Sequence, residues 1–162
     1  MKILGIDPGI GRCGWAIIET QNAKFKALDY GCIETSPKKQ VEERLEEIFK
    51  EISNIIKIHK PQELSIEDLF FGSNAKTAFA VGQARGVVLL CASQNNLEVA
   101  VYNPLQVKIA ITGYGRAQKN QMGQMVKTIF GLTSIPRPDD TADALAIALT
   151  HAFNSKLAKL SK

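Results

Sequence analysis

The sequence is poor in the residues that build disulfide frameworks and zinc sites, and it contains no long hydrophobic run. Its three cysteines, Cys13, Cys32 and Cys91, form no Cys-x-x-Cys pair, and neither His59 nor His151 has a second His or Cys at ligand spacing. No apolar stretch reaches the roughly 18 residues of a membrane span, and the N-terminus lacks the residue order of a signal peptide. We therefore expect a cytoplasmic protein with reduced cysteines and no zinc.

Acidic residues are scarce over one long part of the chain. Between Asp68 and Asp139 the only acid is Glu98, whereas seven basic residues fall in that stretch. These are Lys76, Arg85, Lys108, Arg116, Lys119, Lys127 and Arg137. Together with a net charge of +4, this distribution favours a polyanionic partner, although solvated helix faces would give the same pattern.

The length and patterning predict one α/β domain. At 162 residues the chain suits a single core over 1–162, and no repeat or linker divides it, so disorder is expected only in a tail from about residue 154. Strands are predicted at 2–7, 13–20, 25–34, 63–68 and 98–102. Helices are predicted before Pro61, at 75–94, 104–111 and 117–130, and from about 139. A right-handed crossover then makes the fourth strand parallel to the first, in a mixed five-stranded sheet flanked by helices.

A glycine-rich stretch, GIDPGIGRCGW at residues 5–15, has glycines at the spacing of a dinucleotide-binding loop. Such a loop must open a helix whose N-terminus meets the pyrophosphate. Here an Ile-rich strand follows instead. The stretch is therefore predicted to be a turn between two strands, which presents Asp7 at the end of the first.

Several acidic residues are expected to meet at one edge of this sheet. Asp7 and Glu67 end two strands whose parallel pairing brings them together. The last helix begins with Asp139 and Asp140, and Asp143 shares a helix face with either of them. Each acid alone also fits a turn, a strand end or a helix cap. A cluster of this kind costs free energy unless protons or cations offset its repulsion. A divalent metal is the natural answer, and oxygen-only ligands favour two Mg²⁺ or Mn²⁺ ions, as in phosphoryl chemistry.

Aromatic and small residues offer two further features. Phe70 and Phe71 follow Glu67 in a loop, where each fits either the core or a base-stacking role. The stripe of Ala78, Gly82 and Gly86 permits close packing, either on the home sheet or in a symmetric dimer.

Five motifs, in order and at compatible spacing from residue 1 to about 153, resemble the RuvC Holliday junction resolvases. They are GIDPG at 5–9, SIED at 65–68, NAKTAFAVGQARG at 74–86, VK at 107–108 and DDTADALAIALTH at 139–151. The resemblance implies a ribonuclease H-like fold and a homodimer. It also implies a magnesium-dependent endonuclease that resolves four-way DNA junctions by paired symmetric cuts during recombination and repair, in cooperation with the RuvA and RuvB branch-migration proteins.

The resemblance also assigns residues by position. Its Asp-x-x-Asp-Ala-Leu-Ala pattern selects Asp140 over Asp139. The four catalytic and metal-binding acids are then Asp7, Glu67, Asp140 and Asp143. Phe70 matches the base-stacking aromatic, and Lys108 and Lys119 match DNA-contacting lysines. With the other bases near the site, the predicted DNA-binding set is Phe70, Lys76, Arg85, Lys108, Arg116 and Lys119.

Three other interpretations fit parts of the sequence. A junction-binding module without catalysis would lack a carboxylate, and none is missing. An ATPase related to actin and sugar kinases needs two lobes, and the chain has no internal repeat. A different ribonuclease H-like nuclease, for example one that cuts RNA in hybrids, is disfavoured by the motifs from 67 to 86 but is separated best by activity.

Overall fold

One mixed sheet organises the part of the chain that the computed structural model describes, namely residues 1–21, 24–68 and 75–160, without the side chains of 75–77 and 156–160. Within these ranges the strands are β1 (Lys2–Asp7), β2 (Arg12–Gln21), β3 (Lys24–Glu34), β4 (Glu63–Glu67) and β5 (Glu98–Tyr102). The helices are α1 (Val41–His59), α2 (Ala75–Gln94), α3 (Pro104–Thr112), α4 (Lys119–Phe130) and α5 (Asp139–Leu160).

The sheet has the order β3-β2-β1-β4-β5. The first three strands form an antiparallel meander, while β1 pairs with β4 and β4 with β5 in parallel. The glycine-rich stretch is the turn from β1 into β2, so the dinucleotide-loop interpretation is excluded and the strand-turn-strand prediction is confirmed. The crossover through α1 makes β4 parallel to β1, as its handedness requires.

Helices cover both faces of the sheet, which explains why β1 is apolar on both sides. Leu4 and Ile6 point into a core with the buried residues Ile48 and Ile52 of α1 and Val88 of α2. On the opposite face, Ile3 packs in a second core beside residues of α3, α4 and α5. The carboxyl ends of β1 and β4 stay uncovered between these layers.

Helix α5 approaches the sheet so closely that two strand positions have no room for a side chain. A Cβ at Gly5 would overlap the carbonyl oxygen of Ala144, and a Cβ at Gly14 would overlap that of Asp140. The helix supplies small residues to the same contact, including the buried Ala148. Its first turn is therefore fixed directly against the end of β1.

The structure differs from the sequence predictions at some element ends. Helix α5 runs to Leu160, and Phe153 makes an edge-to-face contact with Phe25 at 5.0 Å between ring centroids. The expected disorder of the tail stays a prediction. Helix α4 begins at Lys119, two residues late, because Gln118 forms its N-terminal capping box with Gln121. Among the described helices, none has the length and hydropathy to cross a membrane.

The close approach of α5 generates the first prediction. Gly14→Ala should lower the free energy of unfolding by about 2 kcal/mol or more, because the new methyl group collides with helix backbone that cannot move away without shifting the core. Gly11→Ala is the matched control, because a Cβ there meets only the Arg44 guanidinium, at 3.5 Å. Urea unfolding should show a change within about 0.5 kcal/mol for the control. Equal effects of the two substitutions would contradict the described packing.

Candidate functional site

The site begins where β1 and β4 end side by side. Ile6 and Ile66 are paired in register, so Asp7 and Glu67 follow at the same edge of the sheet. A hydrogen bond links their side chains. The predicted convergence of these two acids is therefore observed.

Helix α5 contributes the third acid. Asp143 lies one turn into the helix and lines, together with Asp7 and Glu67, a cavity of about 680 Å³. The same cavity is lined by three of the predicted DNA-binding side chains, Lys108, Arg116 and Lys119. The acids and these basic side chains thus line one cavity. We call Lys108, Arg116 and Lys119 the basic rim.

Asp140 lies beside this cavity and not in its lining. Its carboxylate is 3.8 Å from the Arg12 guanidinium, yet its charge still raises the pKa of Asp7. Asp139 instead accepts a 2.5 Å hydrogen bond from Arg137. The two adjacent acids thus make different ion pairs, but both act on the cluster, since the charge of Asp139 raises the pKa of Asp143. The choice of Asp140 over Asp139 as the fourth acid stays a prediction from the family pattern.

Burial and mutual repulsion leave the cluster short of positive charge. Burial, followed by the charges of Glu67, Asp143 and Asp140, raises the pKa of Asp7 from 3.8 to about 8. Burial is also the main reason why the pKa values of Glu67 and Asp143 are raised. A raised pKa favours the protonated form of Asp7, and this form can donate the hydrogen bond to Glu67. The Lys119 ammonium, 3.4 Å from Asp143, supplies the nearest positive charge.

The donor chemistry of the cluster fits a hard divalent cation, since the described acidic side chains that converge here offer carboxylate oxygens. In their present positions, no three acidic, His or Cys side chains of the described part of the chain are arranged to hold an ion. A hydrogen bond joins Asp7 and Glu67, and Asp143 contacts Lys119. These two contacts partly offset the repulsion among the acids, as a bound cation would. Both are made by side chains, which can rotate when a cation binds.

Arg85 has a position that sequence reasoning did not predict. Its Nε donates to the Glu67 carbonyl oxygen at 3.4 Å, and its guanidinium is 3.9 Å from the Asp68 carboxylate. With its side chain only 18% exposed, it braces the end of β4 from within. A long-range tertiary contact of this kind leaves no signal in local spacing.

Two predicted DNA-binding residues are not located by the structure. Phe70, like Phe71, lies outside the described residues, and the side chain of Lys76 does as well. Arg12 is a site neighbour that the sequence analysis missed. Its place directly after the turn from Asp7, on the strand that pairs with β1, is the signal that could have identified it.

The sheet order, the two parallel strand ends and the acidic helix start define a ribonuclease H-like fold with a nuclease-type site. The family model described as "Crossover junction endodeoxyribonuclease RuvC" matches residues 3–151. The chain therefore belongs to the RuvC family.

Individual relatives agree with this assignment. Proteins named crossover junction endodeoxyribonuclease RuvC from Caldicellulosiruptor saccharolyticus and Fusobacterium nucleatum are 51% and 52% identical to the chain. The alignments cover 96% and 99% of this chain and 94% and 84% of those proteins. The solved structure of Thermus thermophilus RuvC in complex with a Holliday junction substrate is 38% identical, with a TM-score of 0.93 over 98% of this chain and 96% of that one.

The raised pKa of Asp7 predicts a stability effect that is independent of activity. Between pH 3.8 and about 8 the folded state holds a proton that the unfolded state has released, so the stability of the metal-free protein should fall as pH rises through this window. Asp7→Asn, which is neutral and of similar shape, should remove this slope. At pH 7.5 it should raise the free energy of unfolding by on the order of 2 kcal/mol, read as a higher melting temperature.

The control for this measurement is Asp139→Asn, because Asp139 is half exposed and paired with Arg137. It should leave the pH dependence of the melting temperature unchanged. Added Mg²⁺ should stabilise the parent protein more than Asp7→Asn, since a ligand that binds only the folded state raises its stability. A parent protein whose stability is flat from pH 5 to 8 would contradict the proposed protonation of Asp7.

Proposed function

We propose that this protein is a divalent-metal-dependent endodeoxyribonuclease that resolves four-way DNA junctions by paired symmetric cuts during recombination and repair. The observation that carries the proposal is the single cavity in which Asp7, Glu67 and Asp143 lie beneath the cationic side chains of Lys108 and Arg116. Its family membership and its similarity to RuvC bound to a Holliday junction supply the substrate class.

The four acids would hold Mg²⁺, or Mn²⁺ in its place, with two ions per site as the expected number. Such ions activate the attacking water and stabilise the leaving oxygen of a phosphodiester. Asp7 would give up its proton to become a ligand. Asp143 would exchange its contact with Lys119 for the cation, and the freed ammonium would be available to a DNA phosphate.

The basic rim would position the substrate. Lys108, Arg116 and Lys119 reach the opening of the cavity, where phosphate contacts supply affinity but little sequence information. We infer that Phe70 and Lys76 act on the same DNA from the adjoining segment. Arg85 serves this reaction as a positioning residue, since it holds the backbone of Glu67.

Paired cuts require two active sites, and α2 offers a surface for a homodimer. Its exposed face carries Phe79, which is 70% exposed, and Leu90, which is 51% exposed. Between them, a Cβ at Gly86 would meet no atom within 4 Å, so this glycine is not needed for packing on the home sheet. We infer that a second copy of the chain covers this face.

Cooperation with the RuvA and RuvB branch-migration proteins follows from the family alone. These partners would deliver the junction to the basic rim. A chromosomal DNA substrate would place the cleavage reaction in the cytoplasm.

The decisive experiment separates cutting from binding. Purified protein would be incubated with a four-way junction or a linear duplex of the same sequence, with Mg²⁺ or a chelator, and examined on denaturing and native gels. We expect paired, metal-dependent cuts in the junction only. Asp7→Asn and Asp143→Asn should slow cutting by on the order of 100-fold or more, because second-shell partners of metal ligands alone cost about 10- to 100-fold.

Asp139→Asn is the matched control for this assay, because the family pattern assigns the neighbouring Asp140 to the metal and Asp139 pairs with Arg137 instead, so it should cut normally. Asp7→Asn should still bind the junction. Tight junction binding without cuts, in Mg²⁺ and in Mn²⁺ and across several junction sequences, would instead support the binding-module interpretation.

The dimer surface gives a separate prediction. Phe79→Glu places a charge on the exposed face of α2 and should shift the protein to the monomer in sedimentation equilibrium. Single nicks should then replace paired cuts in the junction. Tyr30→Glu introduces the same charge at another exposed aromatic position, on β3, and should leave the oligomeric state unchanged. A Phe79→Glu protein that stays dimeric would exclude α2 as the interface.

A further inference from the structure

An exposed apolar patch lies beside the catalytic cavity, and the functions proposed above make no use of it. Leu105 and Ile109 are four residues apart on α3 and are 55% and 50% exposed. Tyr114, in the turn that follows the helix, is 58% exposed. Three large apolar side chains in contact with water at one place call for a partner surface.

The backbone under the aromatic ring is rigidly held. Helix α3 ends at Gly113 with a left-handed cap, φ 73°. The Tyr114 N–H donates to Thr112 Oγ1 at 3.1 Å, and the Ala117 N–H donates to the Tyr114 carbonyl oxygen at 3.1 Å. The turn thus presents an exposed ring from a fixed backbone, which is the arrangement of a preorganised contact.

The turn also packs closely on the two aliphatic side chains. A Cβ at Gly115 would lie only 2.5 Å from Leu105 Cδ1 and 3.6 Å from Ile109 Cγ1. The glycine therefore lets the turn lie directly on the exposed face of α3. Tyr114 precedes this glycine, so its exposed ring belongs to the same turn. We call the three exposed side chains the base platform: Leu105, Ile109 and Tyr114.

The base platform continues the rim of the catalytic cavity. Lys108, which lines the cavity, immediately precedes Ile109, and Arg116, which also lines it, follows Tyr114 by two residues. A DNA strand whose phosphates contacted these two cations would lie near residues that adjoin the platform in the sequence. An apolar surface among phosphate contacts fits the flat face of a base that has left the helical stack.

The platform is separate from the proposed dimer surface. Val107 and Ile111 of α3 belong to the core on one face of the sheet, whereas Ala84 and Val88 of α2 belong to the core on the other face. A second copy covering α2 would leave the platform open to the substrate.

We propose that the base platform receives one unstacked nucleobase of the junction, next to the scissile phosphate, with Tyr114 as the stacking residue. This inference rests on the proposed function, since the base comes from the same DNA substrate. It gives the enzyme a means to favour junctions, because a closed duplex offers phosphates to the rim but no free base to the ring. It acts independently of the base-stacking role assigned to Phe70.

The test uses Asp7→Asn as the parent protein, so that the junction stays intact, and adds Tyr114→Ala, Tyr114→Phe or the matched control Tyr30→Ala. Affinity for the junction and for a duplex of equal length is measured at one salt concentration. Tyr114→Ala should weaken junction binding about tenfold and leave duplex binding unchanged, as the loss of one base-stacking contact predicts. Tyr114→Phe and Tyr30→Ala should bind like the parent.

A second readout locates the base. Junctions carrying 2-aminopurine at successive positions around the crossover should show one position whose emission differs between the Tyr114→Ala complex and the parent complex, with Tyr114→Phe restoring the parent signal. Equal weakening of junction and duplex, or no position with a Tyr114-dependent signal, would overturn the platform. So would a loss of dimer in Tyr114→Ala. Failure of the otherwise unsubstituted protein to bind or cut junctions would instead overturn the proposed function.

Discussion

The contact of α5 with the first two strands determines where the acids of this helix stand relative to those at the strand ends. At Gly5 and Gly14 the helix backbone occupies the volume that side chains would need, so its first turn lies against the end of β1. Asp143 is thereby held at the opening where Asp7 and Glu67 already meet through the parallel pairing of β1 and β4. Glycine at one position in each of the first two strands is thus required by a helix more than 120 residues later in the sequence. Packing and chemistry depend on the same two positions.

Within the part of the chain that the structure describes, nearby cations do not offset the repulsion among the acids that this packing assembles. Burial and repulsion raise the pKa of Asp7 to about 8, and the Lys119 ammonium at 3.4 Å from Asp143 is the nearest compensation. Ionised carboxylates that are buried close together lower the free energy of unfolding. A reaction that brings cations to the site accounts for their presence. The acid-poor stretch between Asp68 and Asp139 fits this chemistry, because its basic side chains attract a DNA backbone that the acidic cluster alone would repel.

Much of this arrangement was accessible from the sequence, because its causes are local or topological. The turn after Asp7 follows from an Ile-rich strand in the place where a dinucleotide fold needs a helix. The meeting of Asp7 and Glu67 follows from the handedness of the crossover. Spacing could not separate Asp139 from Asp140, since both share a helix face with Asp143. In the structure, Asp139 contacts Arg137 and Asp140 lies near Arg12. These different contacts depend on how α5 is rotated against the sheet.

Positions fixed by long-range contacts were the ones that sequence reasoning could not reach. Arg85 belongs to the basic stretch by composition, but the fold turns it inward to hold the Glu67 carbonyl. Lys119 and Asp143 are 24 residues apart, and their contact requires the first residue of α4 to lie beside the acidic cluster. These two basic residues therefore differ in position, since Arg85 braces the end of β4 from within and Lys119 lies at the opening of the cavity. Side-chain exposure, 18% for Arg85 and 76% for Lys119, separates these roles where charge alone does not.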